Sequence, residues 1–227
     1  MMADDAFQEL RAGFTAAVSH ELRTPLARLL ALLESASLPG AETRELLEQA
    51  RSEVEQMTEL VDDILFLSEL ESGRAVVGLG ATRVEPVVED VLAALRPRAE
   101  RAGQELVTLV APDADVPLRP RMLRVVVENL VTNAIRYAGD GARCTVSARR
   151  EGGVTVLSVA DNGAGVPEAD AGRLFERFYR GDRARATHGT GLGLSIVKHV
   201  VTQAGGDVDA RRGPGGLGLE VRCTFPV

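Results

Sequence analysis

A histidine followed by a glutamate is the pair of residues in this sequence that points most directly to chemistry. His20 and Glu21 lie inside a stretch whose apolar residues recur every three or four positions. This spacing predicts one face of a long helix. The apolar positions are Phe7, Leu10, Phe14, Val18, Leu22, Leu26, Leu29 and Leu33. At about 100° per residue, His20 lies roughly 200° from Val18 and so points away from that face. The pattern therefore predicts an imidazole that is presented to a reaction partner.

Two neighbours favour a functional histidine over an incidental surface residue. Pro25 lies within the helical pattern, where proline removes a backbone hydrogen bond and bends the helix. Thr24 follows His20 by one turn and shares its face. A zinc site of the type His-Glu-x-x-His is excluded, because Thr24 occupies the position of the second ligand.

Two asparagines one turn apart form a second candidate site in a predicted helix over residues 122–138. Asn129, Asn133, Arg136 and Tyr137 project within about 100° of arc, and apolar residues fill much of the opposite side. Neutral amides suit Mg²⁺, which keeps several waters and takes few protein ligands beside phosphate oxygens. An ordinary solvated helix face is the alternative interpretation of this pattern.

Two glycine-rich segments complete the candidate site. Asp161, Gly163 and Gly165 directly follow an apolar strand, so the backbone can approach a ligand closely and the carboxylate can accept from an amine; turn chemistry is the alternative. The second segment opens a predicted helix and suits polyphosphate, because free N–H groups and the positive dipole end face outward. It consists of Gly189, Thr190, Gly191, Leu192, Gly193 and Leu194. It matches neither a Walker loop nor a dinucleotide-binding fingerprint.

The composition bounds the remaining possibilities. The 227 residues suggest one to two domains, and the net charge of −7 argues against a nucleic-acid partner. No apolar run approaches the roughly 18 residues that cross a bilayer, so we expect no membrane contact. Cys144 and Cys223 lie in strand-like stretches, where buried reduced thiols are expected.

The order of the elements predicts two domains. A second helical pattern ends near residue 72, and a short loop joins it to the first helix as a hairpin. Its apolar residues are Leu46, Leu47, Ala50, Val54, Met57, Leu60, Val61, Ile64 and Leu67. Each apolar stripe is too wide for the hairpin alone to bury, so we predict a homodimer that packs as an antiparallel four-helix bundle; a coiled-coil spacer is the alternative. Residues 74–83 read as a linker, and the following helices and short strands predict an α+β two-layer sandwich.

Taken together, these blocks resemble the cytoplasmic part of a two-component sensor histidine kinase of the common HisKA class. The match comprises five boxes: a phosphoacceptor box around His20, an asparagine box with Asn129 and Asn133, a first glycine box at residues 161–165, a second glycine box at residues 189–194 and a phenylalanine box at residues 174–180. Overall it covers residues 7–226. Arg119 and Pro120 depart from it, because they stand where the family usually has Gly-Asp. The resemblance implies a hairpin for dimerisation and histidine phosphotransfer over residues 1–73, and a catalytic domain with the Bergerat ATP-binding fold over residues 84–227.

The resemblance also implies roles for the candidate residues, with ATP and Mg²⁺ as cofactors. Asn133 would ligate Mg²⁺, Asn129 would sit alongside the metal and phosphates, and Arg136 would touch phosphate. Tyr137 would line the adenine side and Asp161 would bind the adenine amino group. The glycines Gly163, Gly165, Gly189, Gly191 and Gly193 would shape the pocket and a lid over residues 180–188.

The implied reaction is autophosphorylation of His20 by ATP, followed by phosphoryl transfer to an aspartate of a response regulator. A free imidazole is largely neutral at cytosolic pH, and Glu21 is the natural acceptor of the N–H proton. Arg180 would neutralise charge on the transferred group. Thr24 matches the position that orients water in the family's response-regulator phosphatase activity.

Two other functions are open at this point: a different Bergerat-type ATPase, and a non-catalytic dimerisation scaffold with a vestigial nucleotide pocket. We expect the chain to be the cytoplasmic portion of a bacterial inner-membrane receptor.

Overall fold

The computed structural model describes residues 2–38, 42–72, 80–181 and 189–226, with side chains from residue 17 onward. The chain forms two compact units, of which the first is mainly the helical part up to Leu65 and the second begins at Phe66. Each unit is described by itself below. The first members of the predicted apolar stripe, Phe7, Leu10 and Phe14, have side chains outside the description, as do Pro39 and Gly40 of the predicted loop, residues 74–79 of the predicted linker and most of the predicted lid, residues 182–188.

Two long helices make up the first unit and confirm the predicted helical elements. Helix α1 runs over Met2–Ala36 and continues through Pro25, and helix α2 runs over Thr43–Glu71. The last turn of α2 belongs to the second unit, in which Leu67 and Leu70 are buried. The predicted domain limits at residues 73 and 84 stay a prediction.

The wide apolar stripe that the sequence predicts on α2 divides into two rows. We call inner row six of the buried or half-buried positions in the first unit, namely Leu46, Ala50, Glu53, Met57, Leu60 and Ile64. We call outer row the aliphatic residues that remain exposed, namely Leu47, Val54, Val61 and Leu65. The inner row alternates steps of four and three residues, which is the spacing of a seam between packed helices.

Helix α1 shows the same division. Its half-buried positions include Val18, Leu22, Pro25, Leu29, Leu32 and Ala36, which also alternate steps of four and three. Leu26, Leu30 and Leu33 are exposed. Each helix therefore buries one apolar row in the hairpin and leaves a second apolar row uncovered.

A five-stranded mixed sheet forms one layer of the second unit. Its strands are β2 (Glu105–Val110), β4 (Arg143–Glu151), β5 (Val154–Asp161), β6 (Asp207–Arg212) and β7 (Leu219–Pro226). They lie in the order β2-β4-β5-β7-β6, and β2 pairs with β4 in parallel whereas the other pairs are antiparallel. The last two strands, β6 and β7, form an antiparallel hairpin.

Three helices form the second layer, so the predicted two-layer sandwich is confirmed. They are α3 (Val84–Arg101), α4 (Pro120–Tyr137) and α6 (Gly193–Gln203). Helix α3 contacts β2 and α4, and α4 contacts the central strands and α6. Side chains of β4 alternate, with Cys144, Val146 and Ala148 buried against this layer. Both cysteines are buried free thiols, as predicted.

Four short elements were not predicted from the sequence: two strands, a single helical turn and the 3₁₀ turn Pro214–Gly216. Strands β1 (Thr82–Arg83) and β3 (Asp115–Val116) pair antiparallel, and the Thr82 hydroxyl donates to the carbonyl oxygen of Leu118 at 2.5 Å. Helix α5 (Glu168–Ala171) is a single turn. None of the described helices combines the length and apolar character that a membrane span requires.

Candidate functional site

The imidazole of His20 points away from the buried row of α1, as the helical phase predicts. Its side chain is 76 % exposed, and Nδ1 lies 3.7 Å from Oε1 of Glu21. That separation allows electrostatic support but exceeds a hydrogen-bond length. Thr24 is also exposed, and its hydroxyl donates to the carbonyl oxygen of His20 at 3.3 Å. The structure therefore brings these three residues together on one outward surface of α1.

Helix α4 carries the paired asparagines of the second unit. Arg119 and Pro120, which stand where the family usually has Gly-Asp, are compatible with the start of this helix. Arg119 is extended, and Pro120 occupies the first turn, where a backbone N–H would have no intrahelical partner. At the other end, the buried Gln104 donates from Nε2 to the carbonyl oxygens of Ile135 and Gly139, at 3.0 and 2.9 Å. Sequence reasoning missed this helix cap.

The four polar residues predicted to share a face of α4 are all half-buried: Asn129, Asn133, Arg136 and Tyr137. Asn129 is held in place, because its Nδ2 donates to the carbonyl oxygen of Val125 at 2.8 Å. Its Oδ1 lies beside Gly193, where an added Cβ would come within 2.5 Å of that oxygen. The asparagine box and the second glycine box are thus in contact.

Asp161 ends β5 as a buried carboxylate. Its Oδ1 accepts from the backbone N–H of Gly163 at 2.9 Å and of Leu219 at 3.3 Å. Burial raises the pKa of Asp161, and the two backbone hydrogen bonds oppose that shift. Cys144 pairs with Asp161 across the sheet, and burial, with a smaller effect of the Asp161 charge, raises the pKa of that thiol to about 12.

Close backbone contacts hold the first glycine box against two other segments. A Cβ on Gly163 would lie 2.2 Å from the carbonyl oxygen of Ala138 at the end of α4. A Cβ on Gly165 would lie 2.6 Å from the carbonyl oxygen of Gly218. Gly218 in turn has a φ of 68°, and a Cβ there would lie 1.9 Å from the carbonyl oxygen of Asp161.

Gly218 and Leu219 are site residues that the sequence analysis missed. The glycines at residues 213–218, directly before the last strand, were the available signal.

The second glycine box contacts the phenylalanine box. The backbone N–H of Phe178 donates to the carbonyl oxygen of Gly191 at 3.0 Å, and a Cβ on Gly191 would lie 2.9 Å from Cα of Phe178. Phe178 itself has a φ of 60°, which is strained for a residue other than glycine. Phe175, the other phenylalanine of this box, is buried. Arg180 is half-buried at the start of the predicted lid.

The remaining members of the second glycine box have different environments. Leu192 is fully buried and occupies the N-cap position of α6, which begins at Gly193. Gly189 and Leu194 are half-buried. Thr190 groups with the first unit, where its hydroxyl donates to Oδ2 of Asp63 at 2.8 Å.

The donor set suits Mg²⁺ only together with phosphate. No group of three or more histidine, cysteine or acidic side chains could hold a metal ion within the part of the chain that the structure describes. Asn133 can supply one amide oxygen from α4. Mg²⁺ accepts one or two protein ligands when phosphate oxygens and water complete its shell, so these residues fit a metal that arrives with a nucleotide.

Comparison with known proteins assigns the two parts of the chain to two different domain families. Residues 10–73 match the family described as His Kinase A (phospho-acceptor) domain, and residues 119–227 match Histidine kinase-, DNA gyrase B-, and HSP90-like ATPase. The chain is 35 % identical over 210 residues to the sensor-like histidine kinase SenX3 of Mycobacterium tuberculosis, covering 90 % of this chain and 51 % of that protein.

Solved structures give the same result. The histidine kinase AdeS of Acinetobacter baumannii superposes with a TM-score of 0.73 at 25 % identity, covering 91 % of this chain and 97 % of that one. Full-length ShkA in complex with AMPPNP superposes with a TM-score of 0.68 at 29 % identity, covering 93 % of this chain and 45 % of that one.

The chain belongs to the two-component sensor histidine kinases and comprises their phosphoacceptor and ATPase regions. It spans about half the length of the curated relatives it matches.

Proposed function

We propose that this chain is an ATP-dependent protein histidine kinase that phosphorylates its own His20 and then passes the phosphoryl group to an aspartate of a response regulator. The observation that carries the proposal is the exposed imidazole of His20 beside Glu21, in a chain that also contains the family's ATPase domain. An ATPase without a phosphoacceptor would not need this exposed pair on the helical unit.

The second unit, which contains the ATPase region and is called the ATPase unit below, would bind the nucleotide through residues that its packing holds in place. Asp161 uses Oδ1 on two backbone N–H groups, so Oδ2 is the atom we assign to the adenine amino group. Arg136 would contact phosphate, Tyr137 would line the adenine side, and the two glycine boxes would provide the backbone around the ligand. Asn133 would ligate Mg²⁺, with Asn129 alongside; the ion supplies charge neutralisation on the phosphates when bound.

The proposed first step is attack by a ring nitrogen of His20 on the γ-phosphorus of ATP. The N–P bond forms while the bond from the γ-phosphorus to the bridging oxygen breaks, and ADP leaves with that electron pair. Glu21 lies beside Nδ1, which favours a proton on that atom and leaves Nε2 as the nucleophile. The carboxylate then stabilises or accepts the proton that becomes acidic as the N–P bond forms. Arg180 would offset charge on the transferred group.

In the second step the N–P bond breaks, and a carboxylate oxygen of the response regulator forms the new bond to phosphorus. Thr24 favours an additional phosphatase activity, because its exposed hydroxyl lies one turn from His20 on the same side of α1. There it would orient a water molecule toward the phosphorylated aspartate of a bound regulator.

The working form that we propose is a homodimer in which two hairpins form a four-helix bundle. The exposed apolar rows of α1 and α2 support it, because three members of the outer row recur every seven residues and can form a second seam. By relation to the sensor kinases, we place the chain in the cytoplasmic portion of a bacterial inner-membrane receptor.

Incubation with γ-labelled ATP and Mg²⁺ tests the reaction. We expect label that acid removes and alkali preserves, as a phosphoramidate requires. His20→Gln should lose the label completely while it still binds nucleotide and remains dimeric. Label that survives His20→Gln would show that another residue is the acceptor.

Asn133→Ala is the matched test of the ATPase unit. We expect it to abolish labelling of a dimer that still displays His20. Labelling at the normal rate in this variant would contradict the assignment of Asn133 to Mg²⁺.

A further inference from the structure

A buried glutamine lies in the turn between α3 and β2. Gln104 is 7 % exposed, and its Nε2 donates to the carbonyl oxygens of Ile135 at 3.0 Å and Gly139 at 2.9 Å. Both partners only accept, so the amide nitrogen must face them and use both of its N–H groups. Oε1 is buried without a hydrogen-bond partner among the described residues. Because burying an amide opposes folding unless it is hydrogen-bonded, the two donated bonds are what this position gains from a glutamine.

The two carbonyl groups that Gln104 joins lie on either side of residues 136–138, which we call the bridged segment. Helix α4 ends at Tyr137, and the last four carbonyl groups of a helix have no partner within it. The carbonyl of Ile135 is one of these, whereas that of Gly139 belongs to the turn that follows. Gln104 therefore fixes the bridged segment from both of its ends.

Backbone hydrogen bonds hold the turn of the buried glutamine against the turn that follows α4. The N–H of Gly141 donates to the carbonyl oxygen of Gly103 at 3.1 Å, and the N–H of Glu105 donates to that of Ala142 at 3.0 Å. Gly103 has a φ of 65°, and a Cβ there would lie 1.8 Å from Oδ1 of Asp140. The backbone from which the glutamine reaches α4 is thus itself held in place.

The bridged segment contacts the first glycine box. A Cβ on Gly163 would lie 2.2 Å from the carbonyl oxygen of Ala138, so the two backbones touch at this point. The N–H of Gly163 in turn donates to Oδ1 of Asp161 at 2.9 Å. A continuous series of contacts therefore connects the amide of Gln104 with the carboxylate of Asp161.

We propose that Gln104 is a positioning residue of the nucleotide site: its two donated hydrogen bonds set the place of the bridged segment and, through it, of the first glycine box. The inference rests on the proposed function, because it takes Asp161 and the side chains of Arg136 and Tyr137 as nucleotide contacts. Without the donors, the carbonyl groups on either side of the bridged segment must find other partners, and the segment moves with them. Displaced binding groups weaken the bound state and the transition state alike, which raises the ATP requirement rather than lowering the maximal rate.

Gln104→Met tests the role of the two donors, since it removes both and keeps a side chain of similar length. We expect the ATP concentration for half-maximal labelling of His20 to rise roughly tenfold, which is the equivalent of about one hydrogen bond. The maximal labelling rate of the folded protein should change little. An unchanged half-maximal concentration would overturn the proposal.

Val88→Ala is the matched control for lost stability. Val88 is fully buried in α3, so its truncation should lower the melting temperature and the yield of labelled protein without changing the half-maximal ATP concentration. An equal rise in that concentration for Val88→Ala and Gln104→Met would show a general effect of destabilisation and would overturn the positioning role.

Gln104→Glu gives a readout of the donors themselves. The introduced carboxyl group can donate one hydrogen bond when protonated, but it has only acceptors when ionised and then repels both carbonyl oxygens. Burial raises its pKa above the ordinary value of about 4.3. We expect the affinity for Mg²⁺-ADP, measured by titration calorimetry, to fall with rising pH relative to the unaltered protein. Gln104→Met should be weaker by the same factor at every pH. Parallel pH profiles for Gln104→Glu and the unaltered protein would overturn the proposal.

The unaltered protein separates this proposal from the one on which it rests. If it binds Mg²⁺-ADP and Gln104→Met binds with the same affinity, the positioning role fails while the proposed function stands. If the unaltered protein binds no nucleotide, the proposed function fails and the positioning role falls with it.

Discussion

The two units of this molecule form their candidate sites by different physical means. In the helical unit a side chain is presented outward: His20, Glu21 and Thr24 lie on an exposed surface of α1, and the nearest described contacts are local. In the ATPase unit, backbone segments far apart in the chain approach so closely that Gly163 and Gly218 leave no room for a Cβ. The first site depends on helical phase and the second on tertiary packing.

This difference predicts opposite tolerance to substitution. Residues around His20 can change with little effect on folding, provided that the helix and its inner row persist. At the glycine contacts, even one added methyl group must displace backbone atoms. The following predictions test this contrast.

The largest effect is expected for Gly163→Ala. Its Cβ would meet the backbone of Ala138 at 2.2 Å, so we expect loss of nucleotide binding and a fall of about 1–3 kcal/mol in the free energy of unfolding. Gly172→Ala is the control, because that site has open space and a φ of −67°; it should be stabilised by about 0.4–1 kcal/mol. Titration calorimetry and urea unfolding measure both quantities. Normal nucleotide affinity in Gly163→Ala would show that the contact does not shape the site.

A smaller effect, confined to the helical unit, is expected for Val54→Ser. Val54 is 47 % exposed in the hairpin, so the dimer can bury the rest of it. A loss of about 1 kcal/mol per copy would weaken the dissociation constant roughly 30-fold. Gln49→Ser, on an exposed position about 140° around the helix, should leave dimerisation unchanged. Equal effects of the two substitutions in sedimentation experiments would argue against the outer row as the dimer seam.

The smallest binding effect is expected for Asp161→Asn. The amide keeps an acceptor oxygen but loses the charge, so nucleotide affinity should fall roughly tenfold.

The pH dependence of stability gives a second measure of Asp161→Asn. Because the pKa of Asp161 is raised in the folded protein, the unfolded chain ionises first, and the free energy of unfolding falls as pH rises from about 3.9 to the raised value. The variant lacks this fall, so its stability relative to the unaltered protein should increase with pH across that window and then stay constant. Asp113→Asn, at an exposed position, serves as control. Parallel unfolding curves for Asp161→Asn and the unaltered protein would contradict the burial of an ionisable carboxyl group.

Much of the second unit could be predicted because local sequence signals are strong there. The sequence predicts a helix over residues 84–101 and a strand over residues 105–110, and α3 and β2 match both ranges. The other predicted helices and strands of this unit differ from the structure by two residues or fewer at each end. The single-turn helix α5 and the two-residue strands β1 and β3 were missed, since such short segments carry no periodicity. The role of Gly218 was missed for another reason: its contact with Asp161 joins residues 57 positions apart in sequence.

The sequence by itself determined that His20 stands on the outward side of α1 and that the asparagine and glycine boxes belong to helix and loop positions suited to a nucleotide. These features follow from helical phase and turn chemistry, which act over a few residues. Only the tertiary structure decided which part of the wide apolar stripe of α2 is buried, because that depends on how α1 packs against it. Likewise, only packing brought Ala138, Gly163 and Gly218 into contact around Asp161, since distances between segments remote in sequence are set by the whole fold.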